Sequence, residues 1–272
     1  MQPRSMVNTL EFGPTNRVDG IKRCLNLLRK YRVYSISQLY DLCCFNEWRA
    51  ISDLNNYKEL LKTAIELYIK EQLCKQRLSL TNYAFSLIDK PNKKQQEEFE
   101  NIFRHNDIEP DKFFYCLNKV LRLEHEKKNC LRIWGLPNSC KSLISYCICE
   151  PFICAYLNNH CSENEFYLSN CLNKTIILCE ELYITPSTCE DFKSILGGKM
   201  IDVSKKFNEK QILSRTPVIV TSNHERFGRG NLAPVDEEAL QLRCYSFNFT
   251  AVYTPGEHLD ACNFYYFMKK YV

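Results

Sequence analysis

The chain has 272 residues, long enough for a full core and for two domains. Hydrophobic residues make up 45% and charged residues 25%, which excludes low-complexity and disordered classes. A formal net charge of +4 permits nucleic-acid binding without requiring it. No apolar run approaches the roughly 18 residues of a membrane helix, and MQPRSMVNTLEFGPTNRV lacks a signal-peptide core. An intracellular protein with no membrane partner is expected.

In chain order, residues 1–16 form a tail, and residues 17–89 carry helical periodicity. RVDGIKRCLNLLRKY places Val18, Ile21, Leu25 and Leu28 at three- and four-residue steps. NYKELLKTAIELYIKEQLCKQRL repeats the pattern after breaks near Ser35–Ser37 and Ser52-Asp53. The polar stretch DKPNKK marks a turn. Two more helices follow, QQEEFENIFRHN and DKFFYCLNKVLRLEHEKK, the second entered through Pro110. Near 127–130 the texture changes. Strands are predicted at CLRIWG, FICAYL, KTIILCEE, KMIDVS, TPVIVTSN and CYSFNFT, with helices at KSLISYCICEPF and DFKSILGG and a closing helix in HLDACNFYYFMKKYV. Alternating strands and helices predict an α/β nucleotide-binding domain over 128–272, behind a helical segment at 17–127.

Sixteen cysteines raise two further possibilities. The chain is neither short nor visibly secreted, so a disulfide framework is not expected. Cys43-Cys44, Cys147-x-Cys149 and His160-Cys161 lack the paired spacing of a zinc site, and no zinc is expected. Small buried thiols inside apolar runs are the expected reading.

The stretch GLPNSCKS carries the first chemistry. Gly135, Lys141 and Ser142 fit the phosphate-loop pattern, while Cys140 stands at its second glycine. The loop follows a predicted strand and opens a predicted helix, where backbone N–H groups meet phosphate oxygens. Lys141 would reach the β- and γ-phosphates and the Ser142 hydroxyl would hold Mg2+. The second motif is TIILCEE, an apolar strand delivering two acids. Glu180 is the candidate metal-side acid and Glu181 the candidate base. The third is TPVIVTSN, whose Asn223 would orient the lytic water. The fourth is Arg243, a candidate for stabilising transition-state charge across a subunit boundary. Each alone has a plain alternative: a loop with a chance lysine, an acidic turn, a polar turn, any arginine. Their order within about 110 residues argues for a set.

The set resembles a superfamily 3 helicase, and within it the replication initiator (Rep or non-structural protein) of parvoviruses. IWGLPNSCKS, IILCEE, FKSILGGKMIDVSKKFNEK, TPVIVTSN and LQLRCYSF carry the resemblance, and residues 95–272 share it best. The resemblance implies an AAA+-like P-loop ATPase with a central sheet flanked by helices, behind a small all-α oligomerisation domain. It implies ATP and Mg2+ as cofactors, Pro137, Asn138, Ser139 and Cys140 lining the phosphates, and Lys193 near the nucleotide of a neighbouring subunit. It also implies homo-oligomeric rings, usually hexamers, moving 3′ to 5′ on single-stranded DNA in the host nucleus.

A basic hairpin between Lys199 and Lys210 would enter the ring channel, with Lys206 at the family's key lysine and Asn208 where a second lysine is usual. Lys205, Lys206 and Lys210 would grip phosphates and Phe207 would stack on a base. A solvated hairpin is the plain alternative. Cys140 at a glycine position is expected to strain the loop. The alternative function is therefore a DNA-binding, oligomerising regulator with weak or lost hydrolysis; an unrelated P-loop protein is the third. Family members begin with a nickase domain bearing a His-hydrophobe-His motif. None of the 5 histidines lies in such a motif, so nicking is not expected of these residues.

Overall fold

The protein is seen here as a computed structural model that describes residues 16–157, 166–205 and 208–272. It divides into two compact units, the second beginning at Lys75.

The first unit is helical. It holds α1 (Arg17–Tyr31), α2 (Ile36–Leu42), α3 (Phe45–Ser52) and most of α4 (Tyr57–Leu78). Asn16 caps α1 by accepting from the Val18 N–H, and Ser35 caps α2 by accepting from Gln38, so orphan donors of the first turns are satisfied. Cys24, Leu28, Leu39, Ile51, Leu61, Ala64 and Tyr68 form its core.

Glu47 locks α1 to α3. It accepts from Lys30 Nζ at 2.6 Å and from the Tyr31 hydroxyl, and it closes a capping box at Cys44. These donors, Lys30 first, bring its carboxyl down to about 2. A depressed carboxylate pKa stabilises fully above the unfolded value and loses that contribution as pH falls through the folded value. The helical unit is therefore expected to loosen between about pH 4.5 and 2. Acid unfolding followed by circular dichroism checks this, and Glu47→Gln is expected to flatten that part of the curve.

The second unit is built on five parallel strands in the order β2-β3-β6-β1-β7: β1 (Cys130–Gly135), β2 (Cys154–Leu157), β3 (Ile176–Cys179), β6 (Val218–Ser222) and β7 (Cys244–Phe249). Strands β3 and β6 are buried along their whole length because helices cover both faces. On one face, α5 (Leu80–Ser86), α6 (Lys93–His105), α7 (Pro110–Leu121), α8 (Lys141–Cys149) and α11 (Ala261–Met268) pack Phe99, Phe103, Phe114, Phe264 and Phe267 against Leu131, Ile133 and Ile219. On the other, α9 (Cys189–Leu196) and α10 (Pro234–Gln241) bring Phe192, Leu196 and Leu240 onto Ile177, Val218 and Val220.

Because α5 to α7 share one continuous apolar cluster with the sheet, the compact division falls at Cys74/Lys75, some way before the change of texture at 127–130. The expected strands and helices of 128–272 are present, and Pro110 opens α7. Helix α10, opened by Pro234, was not expected from the sequence.

An antiparallel hairpin, β4 (Ile201–Lys205) and β5 (Asn208–Leu213), stands apart from the main sheet and pairs Ile201 with Leu213 and Lys205 with Asn208. All described cysteines are free and most are buried. No described helix is long and apolar enough to cross a membrane.

Candidate active site

Sheet register gathers the site. Gly135 ends β1 opposite Phe249, Ser222 ends β6 beside Trp134, and Cys179 ends β3 beside Val220. The loop 135–142, the acids Glu180 and Glu181, and Asn223 therefore emerge together at the carboxyl edge, where open α/β sheets form their crevices.

Gly135 has φ +136°, and a Cβ there would lie 2.0 Å from the Phe249 carbonyl oxygen. The absent side chain lets β1 turn against β7, where Leu136 N–H donates to that same oxygen at 2.9 Å. Asn138 (φ 58°) and Cys140 (φ 67°) both adopt left-handed backbone. The Cys140 thiol, raised to about 11 by burial and so protonated, donates to the Tyr253 carbonyl at 3.1 Å. Tyr253 N–H donates to the Asn138 carbonyl at 3.0 Å. The segment around Tyr253 thus fastens a loop that holds a cysteine at a glycine's place.

Among the described residues, the backbone N–H groups of Ser139, Cys140, Lys141 and Ser142 have no protein acceptor. Four orphan donors at the start of α8 form an anion cradle. Lys141 is only 5% exposed. Its ammonium donates to the Leu136 carbonyl and, at 3.4 Å, to Ser139 Oγ. Burial lowers its pKa, and the Glu181 carboxylate offsets part of that. Ser142 is exposed at the helix start, and Pro137 lies between Leu136 and the left-handed Asn138.

Glu180 accepts from the Tyr146 hydroxyl of α8 at 2.6 Å, which pushes that phenol up to about 12. Glu181, at φ 49°, accepts the Asn223 N–H through Oε2 at 3.2 Å, so the second acid and the Asn223 backbone are directly linked. Ser142 and Glu180 offer hard oxygen ligands of the kind Mg2+ takes.

Two contributors were missed by sequence reasoning. Tyr146 gave no signal. Arg132, a charge inside the apolar run CLRIWG, was a readable one. It is 2% exposed, donates to the carbonyls of His224 (2.8 Å) and Glu225, and lies 4.2 Å from the Phe227 ring centroid. It anchors the segment that follows Asn223.

Other expected residues are not brought to the loop. Arg243 precedes β7 at the amino edge, on the order of 15 Å from the loop at about 3.3 Å per strand residue. Its guanidinium donates to the Ala239 carbonyl. Lys193 is held by Asp236 (2.7 Å) and Glu190 (2.6 Å), Asp236 first in raising its pKa well above the ordinary lysine value. Cys189, Glu190 and Asp236 lie close enough together to hold a metal, but the Lys193 ammonium already sits on the two carboxylates. Lys210 is exposed on β5. Lys206 and Phe207 lie outside the described residues, and Lys205 is described by its backbone alone.

Initiator protein NS1 of feline panleukopenia virus is 28% identical over 174 residues, 61% of this chain and 43% of that protein. Protein Rep52 of adeno-associated virus 2 is 31% identical over 127 residues, 46% of this chain and 32% of that protein. Initiator protein NS1 of Bombyx mori densovirus is 27% identical over 145 residues, 48% of this chain and 16% of that protein. The chain thus spans less than half the length of these relatives. A crystal structure of JCV helicase with a bound small molecule shares the fold, with TM-score 0.59 and 13% identity, covering 85% of this chain and 78% of that one. The family model for parvovirus non-structural protein NS1 matches residues 15–257, so the chain belongs to that family.

Proposed function

We propose that the chain is an ATP-dependent DNA helicase, of 3′ to 5′ polarity and acting in the host nucleus, that hydrolyses ATP between subunits of a ring, expected to be a hexamer. One observation carries this reading: the orphan N–H groups of 139–142, Lys141, Glu180, Glu181 and Asn223 converge at one sheet edge, with Glu181 bonded to the Asn223 N–H. The loop N–H groups would take phosphate oxygens. Lys141 would leave the Leu136 carbonyl for the β- and γ-phosphates. Glu181 would accept the proton of the attacking water, which Asn223 would orient. Mg2+, held by Ser142 and Glu180, would neutralise charge developing on the phosphates.

Arg243 and Lys193 lie away from the loop of their own chain, which supports a role toward the loop of a neighbouring copy. The test is complementation. Lys141→Ala and Arg243→Ala are each expected to lose nearly all DNA-stimulated ATP turnover. A mixture of the two is expected to recover a measurable share, because some interfaces then pair an intact loop with an intact arginine. A mixture as inactive as its components would overturn the shared site.

A second reading is favoured by Lys141, which is bonded back into its own loop beside the left-handed Cys140. In it, the protein binds single-stranded DNA and oligomerises but turns ATP over weakly or not at all. DNA binding through Lys205, Lys206, Phe207 and Lys210 of the β4–β5 hairpin belongs to both readings.

A further inference from the structure

We infer that the chain holds a second phosphate-binding site, in a cavity at the amino edge of the sheet, taking the phosphate ester of a nucleotide or of a polynucleotide strand. The cavity of about 570 Å³ lies where Thr175 enters β3 and Thr216 enters β6, at the opposite ends of the strands from the loop 135–142. Its volume suits a nucleotide-sized ligand. Arg77, Arg122, Lys174 and Arg215 line it, and among the described residues no carboxylate does. Four positive side chains at one cavity equal the net charge of the whole chain, +4.

Two of the four are engaged. Arg122 Nε lies 3.0 Å from Glu124, and Arg215 donates to Asn129 Oδ1 at 3.3 Å and to the His125 carbonyl. Arg77 and Lys174 have no ion-pair partner among the described residues. Both also line an adjoining recess of about 50 Å³ that reaches Gln211 and Leu213 of β5. The basic surface is thereby continuous with the base of the hairpin.

Gln76 is fully buried in the cavity wall and ties it together. Its Oε1 accepts from Ile153 N–H at 3.1 Å and from the Thr175 hydroxyl at 2.6 Å, which fixes the amide orientation. Its Nε2 is then a buried donor with no partner. Native interiors rarely leave such a donor unmet. Guanidinium forks, an ammonium and hydroxyls, with no acid among the described lining residues, match the oxygens of a phosphate ester.

The test uses the full chain carrying Lys141→Ala, which weakens phosphate binding at the loop, so that a change made by Arg77 and Lys174 is read against a low loop contribution. Calorimetry with pyrophosphate and with AMP, and anisotropy with labelled dT20, are compared before and after Arg77→Glu/Lys174→Glu. Arg77→Gln/Lys174→Gln repeats the comparison without charge reversal, and circular dichroism checks that each variant folds. Affinity for at least one ligand is expected to fall about tenfold or more, as for lost charge-assisted bonds. For dT20 the slope of log affinity against log salt should also shrink by about 1–2. A fall with dT20 alone assigns a polynucleotide strand, and a fall with pyrophosphate or AMP alone assigns a free nucleotide. Unchanged affinities for all three, or no binding by the Lys141→Ala parent, overturn the site. Neither result depends on whether the loop 135–142 hydrolyses ATP.

Discussion

Replacing Gly135 by alanine is expected to cost about 3 kcal/mol or more of stability and, on the proposed function, to abolish nucleotide binding. A Cβ at this position meets the Phe249 carbonyl oxygen at 2.0 Å, and the clash is with backbone, so no side-chain rotation relieves it. The φ of +136° is itself a conformation that only glycine adopts without strain. The two strands can separate only by breaking the 2.9 Å bond from Leu136 N–H to that oxygen. The loop would then lose its attachment to β7 just where its orphan donors converge. Urea unfolding and the binding of a fluorescent ATP analogue check both effects. An alanine variant with unchanged midpoint and affinity would mean that β1 and β7 part more easily than their register indicates.

Arg132 carries the second large effect. Arg132→Met keeps most of the side-chain volume but leaves the His224 and Glu225 carbonyls without their donor. It also removes the cation from the Phe227 ring. A loss of about 3 kcal/mol is expected, the scale of breaking a buried charged bonding partner. The segment after Asn223 then loses its anchor, and the bond from Asn223 N–H to Glu181 weakens with it. In a working enzyme kcat is expected to drop sharply with little change in ATP affinity, because the phosphate loop is untouched. Arg132→Lys should recover only part, since an ammonium cannot reproduce the planar fork. A fall in affinity with kcat intact would place the effect of Arg132 on the loop instead.

Lys141, Glu180, Glu181 and Asn223 were legible because each closes or follows a short apolar strand. Strand ends of parallel neighbours share one edge, so a linear motif becomes a spatial cluster. Arg243 carried no such signal. Its place at the far edge follows only from the pairing of Cys130 with Cys244. Helices α5 to α7 were read as helices, but their periodicity does not say which surface they cover. Phe99, Phe103 and Phe114 pack on Phe267 of α11, and Phe113 meets Phe247 of β7, and that assigns these helices to the second unit. Helix α10 is short and half polar, so it left little periodic trace. The strain expected at Cys140 is visible in its positive φ. Its compensation, the thiol bond to Tyr253, joins residues 113 positions apart and has no sequence signature.

The most direct measurement of whether GLPNSCKS works as a phosphate loop is Mg2+-dependent ATP hydrolysis by this chain, with and without single-stranded DNA, beside Lys141→Ala. Turnover that DNA stimulates and that the substitution abolishes is the predicted result. An equal, nonzero rate in both proteins would contradict a catalytic role for Lys141, and no turnover in either, with assembly and DNA binding intact, would contradict the enzyme and leave the binding module.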